Sequence, residues 1–439
     1  QDGWNIGVDA EAVRGGVNLE IALVVDTTGS MAGSKITSLR TAATDLVNQV
    51  VQDSQSPYYS KLALISYSVG VNAGTYAAAA RGAIPAAKSV TGASWSVGAA
   101  KIVTGATRAS QAVITSPAHG FTNGQVVYIT GVNGMTQLNN NYYTVANATV
   151  NTFKIKNSSG NYVNSTGYNN FSSSPASSIR RCQTATCEVV VTANAHGFAN
   201  GNYAFITGVG GMTQINNVTG SGTGTAWQVA SATANTFVLS GSTGPTYGAF
   251  TSNGSAYCTT TGCEYHRFTN ASGGTNVFRV STCVTERIGA NAYTEAAPST
   301  SFVGLNYPST ASNGACPTNT IQPLTSDRAN LNVRIAGLAA SGFTAGQIGA
   351  AWGWYTLSPN FSYLWPSASQ PAAYGAPETL KIMVLMTDGA FNTNYCNGVM
   401  AQNAGGGNNV DQINCNATNG DPLVQAQNLC TAMKSQGVI

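Results

Sequence analysis

Two acids in the sequence stand where a cation could be held. Asp26 ends the apolar run Ile21-Ala22-Leu23-Val24-Val25 and is followed by hydroxyls at alternate positions, Thr28 and Ser30. Asp388 ends a second run, Leu380-Lys381-Ile382-Met383-Val384-Leu385-Met386-Thr387, and precedes Gly389. A carboxylate with hydroxyls spaced along a turn supplies hard oxygen donors. Mg²⁺ suits such a place, because it takes oxygen ligands, needs few carboxylates and keeps several waters. The plainer reading is that Asp26 and Ser30 cap the following helix. A second strand ending in an acid shifts the balance toward one shared cation.

The surrounding elements must bring these acids together. Residues 21–25 read as a strand buried on both faces, as in a parallel sheet. Gly29 lets the backbone turn. Ile36, Leu39, Ala43, Leu46, Val47 and Val50 then recur at helical spacing. Leu62 to Tyr67 reads as a second core strand, with Val69 to Tyr76 as its hairpin partner. In an open α/β sheet, ligands bind in the crevice at the carboxyl ends of the strands. Both acids are expected there.

Asp26-Thr27-Thr28-Gly29-Ser30 resembles the D-x-[ST]-x-S metal-ion-dependent adhesion motif of von Willebrand factor type A domains. The resemblance implies an α/β fold: a doubly wound, mostly parallel, Rossmann-like domain, interrupted here by a large all-β insertion. It also implies a Thr from a separate loop, matched by Thr344 in Ser341-Gly342-Phe343-Thr344 ahead of the helical stretch 345–357, and an Asp matched by Asp388. On that reading Asp26, Thr28, Ser30, Thr344 and Asp388 hold a divalent cation, Mg²⁺ first, with Mn²⁺ or Ca²⁺ as alternatives. Thr28 stands where Ser is commoner, and the hydroxyl is kept.

Four further segments resemble bacterial TadG-type proteins of tight-adherence (Flp) pilus systems. They are Ser66-Tyr67-Ser68-Val69-Gly70-Val71-Asn72, Cys283-Val284-Thr285-Glu286-Arg287, Pro323-Leu324-Thr325-Ser326-Asp327 and Trp352-Gly353-Trp354-Tyr355-Thr356-Leu357-Ser358-Pro359. The similarity spans 17–77 and 275–439 and skips the middle. It implies an extracellular location at a bacterial surface or pilus, or in the periplasm, and a membrane segment outside this chain.

The middle contains a repeat. Ala118-His119-Gly120-Phe121-Thr122-Asn123-Gly124 recurs as Ala195-His196-Gly197-Phe198-Ala199-Asn200-Gly201, an offset of 196 − 119 = 77. Asn151-Thr152-Phe153 and Asn235-Thr236-Phe237 close the two copies. Short strands between Asn-Gly and Gly-Val turns mean a small all-β module used twice. The copies resemble the small β-barrel (FCCH) module of ubiquitin-activating enzymes, without any adenylation or thioester motif. His119 and His196 hold matched positions before Gly and read as turn residues rather than ligands. His266 has no evident partner.

Charged residues make up 8% of the 439 residues, against roughly 25% in typical soluble domains. The net charge of +3 argues for neither nucleic acid nor an anionic membrane as partner. Nine cysteines in so polar and Gly-rich a chain read as disulfides formed in an oxidising compartment. The expected pairs are Cys182–Cys187, Cys258–Cys263, Cys283–Cys316 and Cys396–Cys415, with Cys430 left over; zinc held by the two C-x₄-C pairs is the sharper alternative.

The resulting division is an N-terminal edge segment at 1–16, where Trp4, Ile6 and Val8 alternate, and a first A-domain part at 17–77. A linker at 78–110 leads to β repeats at 111–177 and 178–254. A disulfide-tied β region at 255–324 precedes the second A-domain part at 325–439, which reads as incomplete because residues 436–439 resemble the start of another core strand.

The expected function is metal-dependent adhesion, in which the cation accepts a carboxylate from a protein partner or surface receptor, from other pilus subunits or from copies of the same chain. The alternative is a structural pilus or filament subunit with the A domain as scaffold. An enzyme is not expected, a Mg²⁺-dependent hydrolase being the remote case, because the sequence has no glycine-rich phosphate loop and no nucleophile elbow.

Overall fold

The computed structural model describes residues 16–310 and 313–439. The alternation expected around Trp4, Ile6 and Val8 lies outside the described residues. The described residues form two compact units, one from 16–85, 219–225, 260–310 and 313–439, the other from 86–218 and 226–259.

The first unit is built on β1 (Asn18–Asp26), β2 (Ser60–Tyr67), β3 (Val71–Asn72), β4 (Cys283–Thr285), β5 (Gly304–Leu305), β6 (Gln322–Thr325) and β7 (Thr379–Met386). Their order is β5-β4-β3-β2-β1-β7, with β6 also paired to β2. β1 lies between β2 and β7 and runs parallel to both. Alternation along β1 then divides the core. Ile21, Leu23 and Val25 pack with Ile36, Leu39 and Val47 of α1 (Ser34–Val50) and with Leu331 and Ile335 of α2 (Arg328–Ala336). Ala22 and Val24 face the cluster holding Trp352 and Leu357 of α3 (Gly346–Leu357) and Leu429 and Met433 of α4 (Pro422–Ser435).

Every residue of α3 is buried. It approaches β1 and β2 closely enough to require glycine. A Cβ at Gly349 would stand 2.5 Å from the Tyr67 ring, and one at Gly353 would stand 2.6 Å from Val24. At the chain's last residue, Ile439 N–H donates to Lys381 O and Ile439 O accepts from Met383 N–H, so residue 439 bonds along β7.

The expectation of a doubly wound, mostly parallel α/β fold of the von Willebrand A type is overturned. Of the six pairings in this sheet only β1–β2 and β1–β7 are parallel; β2–β3, β3–β4, β4–β5 and β2–β6 are antiparallel. Among the described residues only 20% are helical, and the remaining sheets are antiparallel. The physical reason is local. The two long apolar runs suit burial on both faces, but most of the chain consists of short strands joined by tight turns, and such connections force antiparallel neighbours.

The second unit consists of two seven-stranded antiparallel barrels with the same strand order. In the first barrel, Ser96–Ile102 and Gly105–Ala106 form the two ends of the sheet; in the second, Lys88–Val90 and Gly92–Ser94 do. These pairs are consecutive in the chain, so one bent strand closes each barrel. The stretch 78–110, expected as a linker, supplies both closing strands. Each barrel has its own core, around Phe153 and Ile129 in the first and around Phe237 and Ile206 in the second.

Disulfides join Cys182–Cys187, Cys283–Cys316 and Cys396–Cys415, as expected, and Cys258 and Cys263 are also disulfide-bonded. The thiolates needed for the zinc alternative are thereby used. Cys430 is free.

Candidate functional site

β1 and β7 end side by side, and their register places Asp26 and Asp388 at one edge of the sheet. Asp26 is fully buried. Its Oδ1 accepts from the Thr28 N–H at 2.9 Å and the Thr28 hydroxyl at 2.6 Å. Its Oδ2 accepts from the Tyr67 hydroxyl at 3.1 Å and the Thr387 hydroxyl at 3.0 Å. Four donors therefore fix both oxygens in place. Tyr67 stays protonated, since burial pushes its hydroxyl well above the ordinary value and the Asp26 charge pushes it further.

A chain of oxygens runs outward from this anchor. Thr28 Oγ1 lies 2.9 Å from Ser30 Oγ, and Ser30 Oγ donates to Asp388 Oδ1 at 2.8 Å. The other Asp388 oxygen accepts from Lys35 Nζ at 2.7 Å. Burial pushes the Asp388 carboxyl up, but the hydrogen bonds from Lys35 and Ser30 outweigh it and hold the group below the usual carboxylate range.

The third segment docks by its backbone. Gly29 N–H donates to Gly342 O at 2.9 Å, and Ser341 N–H donates to Thr27 O at 2.8 Å. Thr344 is buried; its N–H donates to Asn392 Oδ1, and its carbonyl accepts from the N–H groups of Asn392 and Thr393. The Thr344 hydroxyl has no hydrogen-bond partner among the described residues, and it makes no bond to the Asp26–Asp388 chain. The structure thus joins Asp26, Thr28, Ser30 and Asp388 directly and brings the Thr344 loop against them through the backbone.

Lys35, Tyr67 and Thr387 were missed from sequence. Tyr67 is the register partner of Asp26 on β2, and Thr387 continues β7 beside Asp388. Lys35 lies in the first turn of α1, where a cation is unexpected because helix N-termini favour anions.

The donor set fits a hard divalent ion. It offers two carboxylates, the hydroxyls of Thr28 and Ser30, and the unpartnered hydroxyl of Thr344. Among the described residues no group of three or more His, Cys, Asp and Glu could hold a metal, so an ion here depends on neutral hydroxyls and water. The matched histidines are accounted for otherwise. His119 Nδ1 accepts from Phe121 N–H and His196 Nδ1 from Phe198 N–H, both at 2.9 Å, and each ring packs between two phenylalanines. They brace turns.

Comparison with known proteins gives a family match for part of the chain. The family model of the ubiquitin-activating enzyme E1 FCCH domain matches residues 111–170, within the first barrel. No curated protein matches the chain. Neither comparison returns a von Willebrand factor type A domain or a TadG-type protein. The disulfides fit a non-cytoplasmic, oxidising setting. Among the described residues no helix is long and apolar enough to cross a membrane.

Proposed function

We propose that the chain is a divalent-cation-dependent adhesion or protein-binding component of a bacterial surface or pilus system. The observation that carries this reading is the oxygen chain Asp26–Thr28–Ser30–Asp388, which links the ends of two neighbouring strands whose acids are remote in sequence. Asp26, Thr28, Ser30, Thr344 and Asp388 would hold the cation, with Mg²⁺ the best match to an all-oxygen set. When bound, the ion supplies a Lewis-acidic position for an outside carboxylate. The chain's own residues do the rest. Tyr67 and Thr387 fix the Asp26 carboxylate from behind. Lys35 supplies the counter-charge to Asp388 and, with a side chain 56% exposed, is free to swing away. Two carboxylates offset a divalent charge without excess, which leaves the ion electrophilic toward a partner.

Calorimetric titration of the intact chain with Mg²⁺ and with Mn²⁺ tests this. Uptake of one ion that Asp26→Ala abolishes, together with cation-dependent capture of a carboxylate-bearing partner, is the expected result. No heat of binding from a folded sample removes the reading.

A further inference from the structure

The second unit holds a cleft of about 1190 Å³ between its two barrels. This exceeds the roughly 300–1,000 Å³ of a typical small-ligand site. Four partly buried aromatic side chains line it: Trp95, Tyr128, Tyr247 and Phe250. Trp95 sits where the closing strand of one barrel passes into that of the other. Its ring meets Tyr128 edge to face at 5.8 Å, and a Cβ at Gly244 would come within 2.3 Å of the Trp95 Cβ. The rest of the lining is mostly small residues, hydroxyls and amides, among them the exposed Asn140 and Gln183. Among the described residues Arg180 is its one charged side chain, and none of its lining residues is a carboxylate.

We propose that this cleft binds a neutral oligosaccharide. Flat aromatic rings with a polar edge stack against the apolar C–H face of a sugar ring, while neutral hydroxyls and amides exchange hydrogen bonds with its hydroxyls. The competing ligand classes fit the lining less well. A single arginine is a poor match to a polyphosphate backbone, which calls for several cations. An extended peptide adds to an exposed sheet edge, and each barrel here is closed by its own bent strand. The cleft's volume and its lining from both barrels suit several sugar units rather than one.

The test uses the intact chain with cellotetraose, maltotetraose and chitotetraose as probes and a heparin-derived tetrasaccharide as the charged control, read by saturation-transfer NMR and calorimetry. At least one neutral tetrasaccharide binds. Tyr128→Ala and Tyr247→Ala each weaken it ~10-fold. Asn140→Gly, which removes the amide at an exposed position and accepts the left-handed backbone there (φ 60°), weakens it ~3-fold. The proposal is overturned if no neutral probe binds at ~10 mM, or if the tyrosine variants keep both their melting temperature and wild-type affinity. It is equally overturned if only the heparin fragment binds and Arg180→Gln abolishes that binding.

Discussion

The Ser30 hydroxyl donates to Asp388 Oδ1 at 2.8 Å across 358 residues of sequence. It ties Asp388 to the Asp26–Thr28 pair, since Thr28 reaches Asp388 only through Ser30. Ser30→Ala breaks that link at an exposed residue while leaving Asp26 with all four of its donors. Unfolding free energy is expected to fall by less than about 1 kcal/mol, whereas Mg²⁺ affinity in calorimetry falls at least ~10-fold. Equal loss in both measurements would assign Ser30 to structure alone.

Asp26→Ala has the opposite balance. It leaves the buried Tyr67 hydroxyl without its acceptor and takes the carboxylate away from the hydroxyls of buried Thr28 and exposed Thr387, all of which now donate to it. Unpartnered buried groups cost about 1–3 kcal/mol each before relaxation, so urea unfolding should show a loss of at least about 2 kcal/mol. Asp26→Asn keeps the volume and part of the hydrogen bonding. It should recover some of that stability and none of the cation binding.

Lys35 competes for the charge that a cation would use. Its ammonium lies 2.7 Å from Asp388 Oδ2. Lys35→Met removes the competitor and keeps the aliphatic stem. Mg²⁺ is then expected to bind ~10-fold more tightly, and Asp388 should titrate higher, since burial is no longer offset by Lys35. Because Asp388 is held below its unfolded value in the wild type, its contribution to stability is present above that value and lost as pH falls through the lower, folded one. In Lys35→Met this acid loss should shrink, measurable as a flatter stability profile below the carboxylate range.

How much of this was legible in the sequence follows from which forces act over short range. Asp26 and Asp388 could be found because each ends an apolar run, and burial on two faces leaves that pattern. Tyr67 could not be assigned to Asp26, because the pairing Asp26↔Tyr67 is a matter of register between strands. The repeat in the middle was visible through its Asn-Gly and Gly-Val turns. Its closing strands were not. Residues 88–94 and 96–106 contain Gly, Ser and Ala where strands usually carry branched or aromatic side chains, so only the barrel context makes them strands. The mostly parallel fold was over-read from two strands that are indeed parallel but flanked by antiparallel ones.

Glu20 and Lys381 are register partners on β1 and β7 and form a buried ion pair at 2.5 Å. Glu20 also accepts from Tyr59 and from the Ala372 N–H, and Lys381 donates to Leu357 O. Removing one partner leaves the other charge uncompensated, so Glu20→Ala is expected to cost about 3–5 kcal/mol. Replacing both with methionine should cost much less, because no buried charge remains. Thermal melts of the two single variants and the double variant decide it, and additive losses would contradict the pairing.

Two buried groups give the stability profile opposite slopes on the acid side. Burial lowers His266 to about 4, with Tyr307 and Phe268 around the ring and Nδ1 unpartnered. The unfolded chain then binds the proton first, so stability falls by about 3 kcal/mol as pH drops from 6.5 to 4. Glu286 acts in reverse. Its Oε1 accepts from Tyr395 N–H and its Oε2 has no partner, and burial raises the carboxyl to about 7. The folded chain binds that proton first, so stability is lost as pH rises from the ordinary carboxylate range to 7. Glu286→Gln should therefore be more stable than wild type above pH ~7 and similar to it near pH ~4, while His266→Phe should flatten the decline below pH ~6. Urea titrations across that range, with the two variants measured separately, distinguish the slopes; a Glu286→Gln profile parallel to wild type would show that the carboxyl is charged throughout.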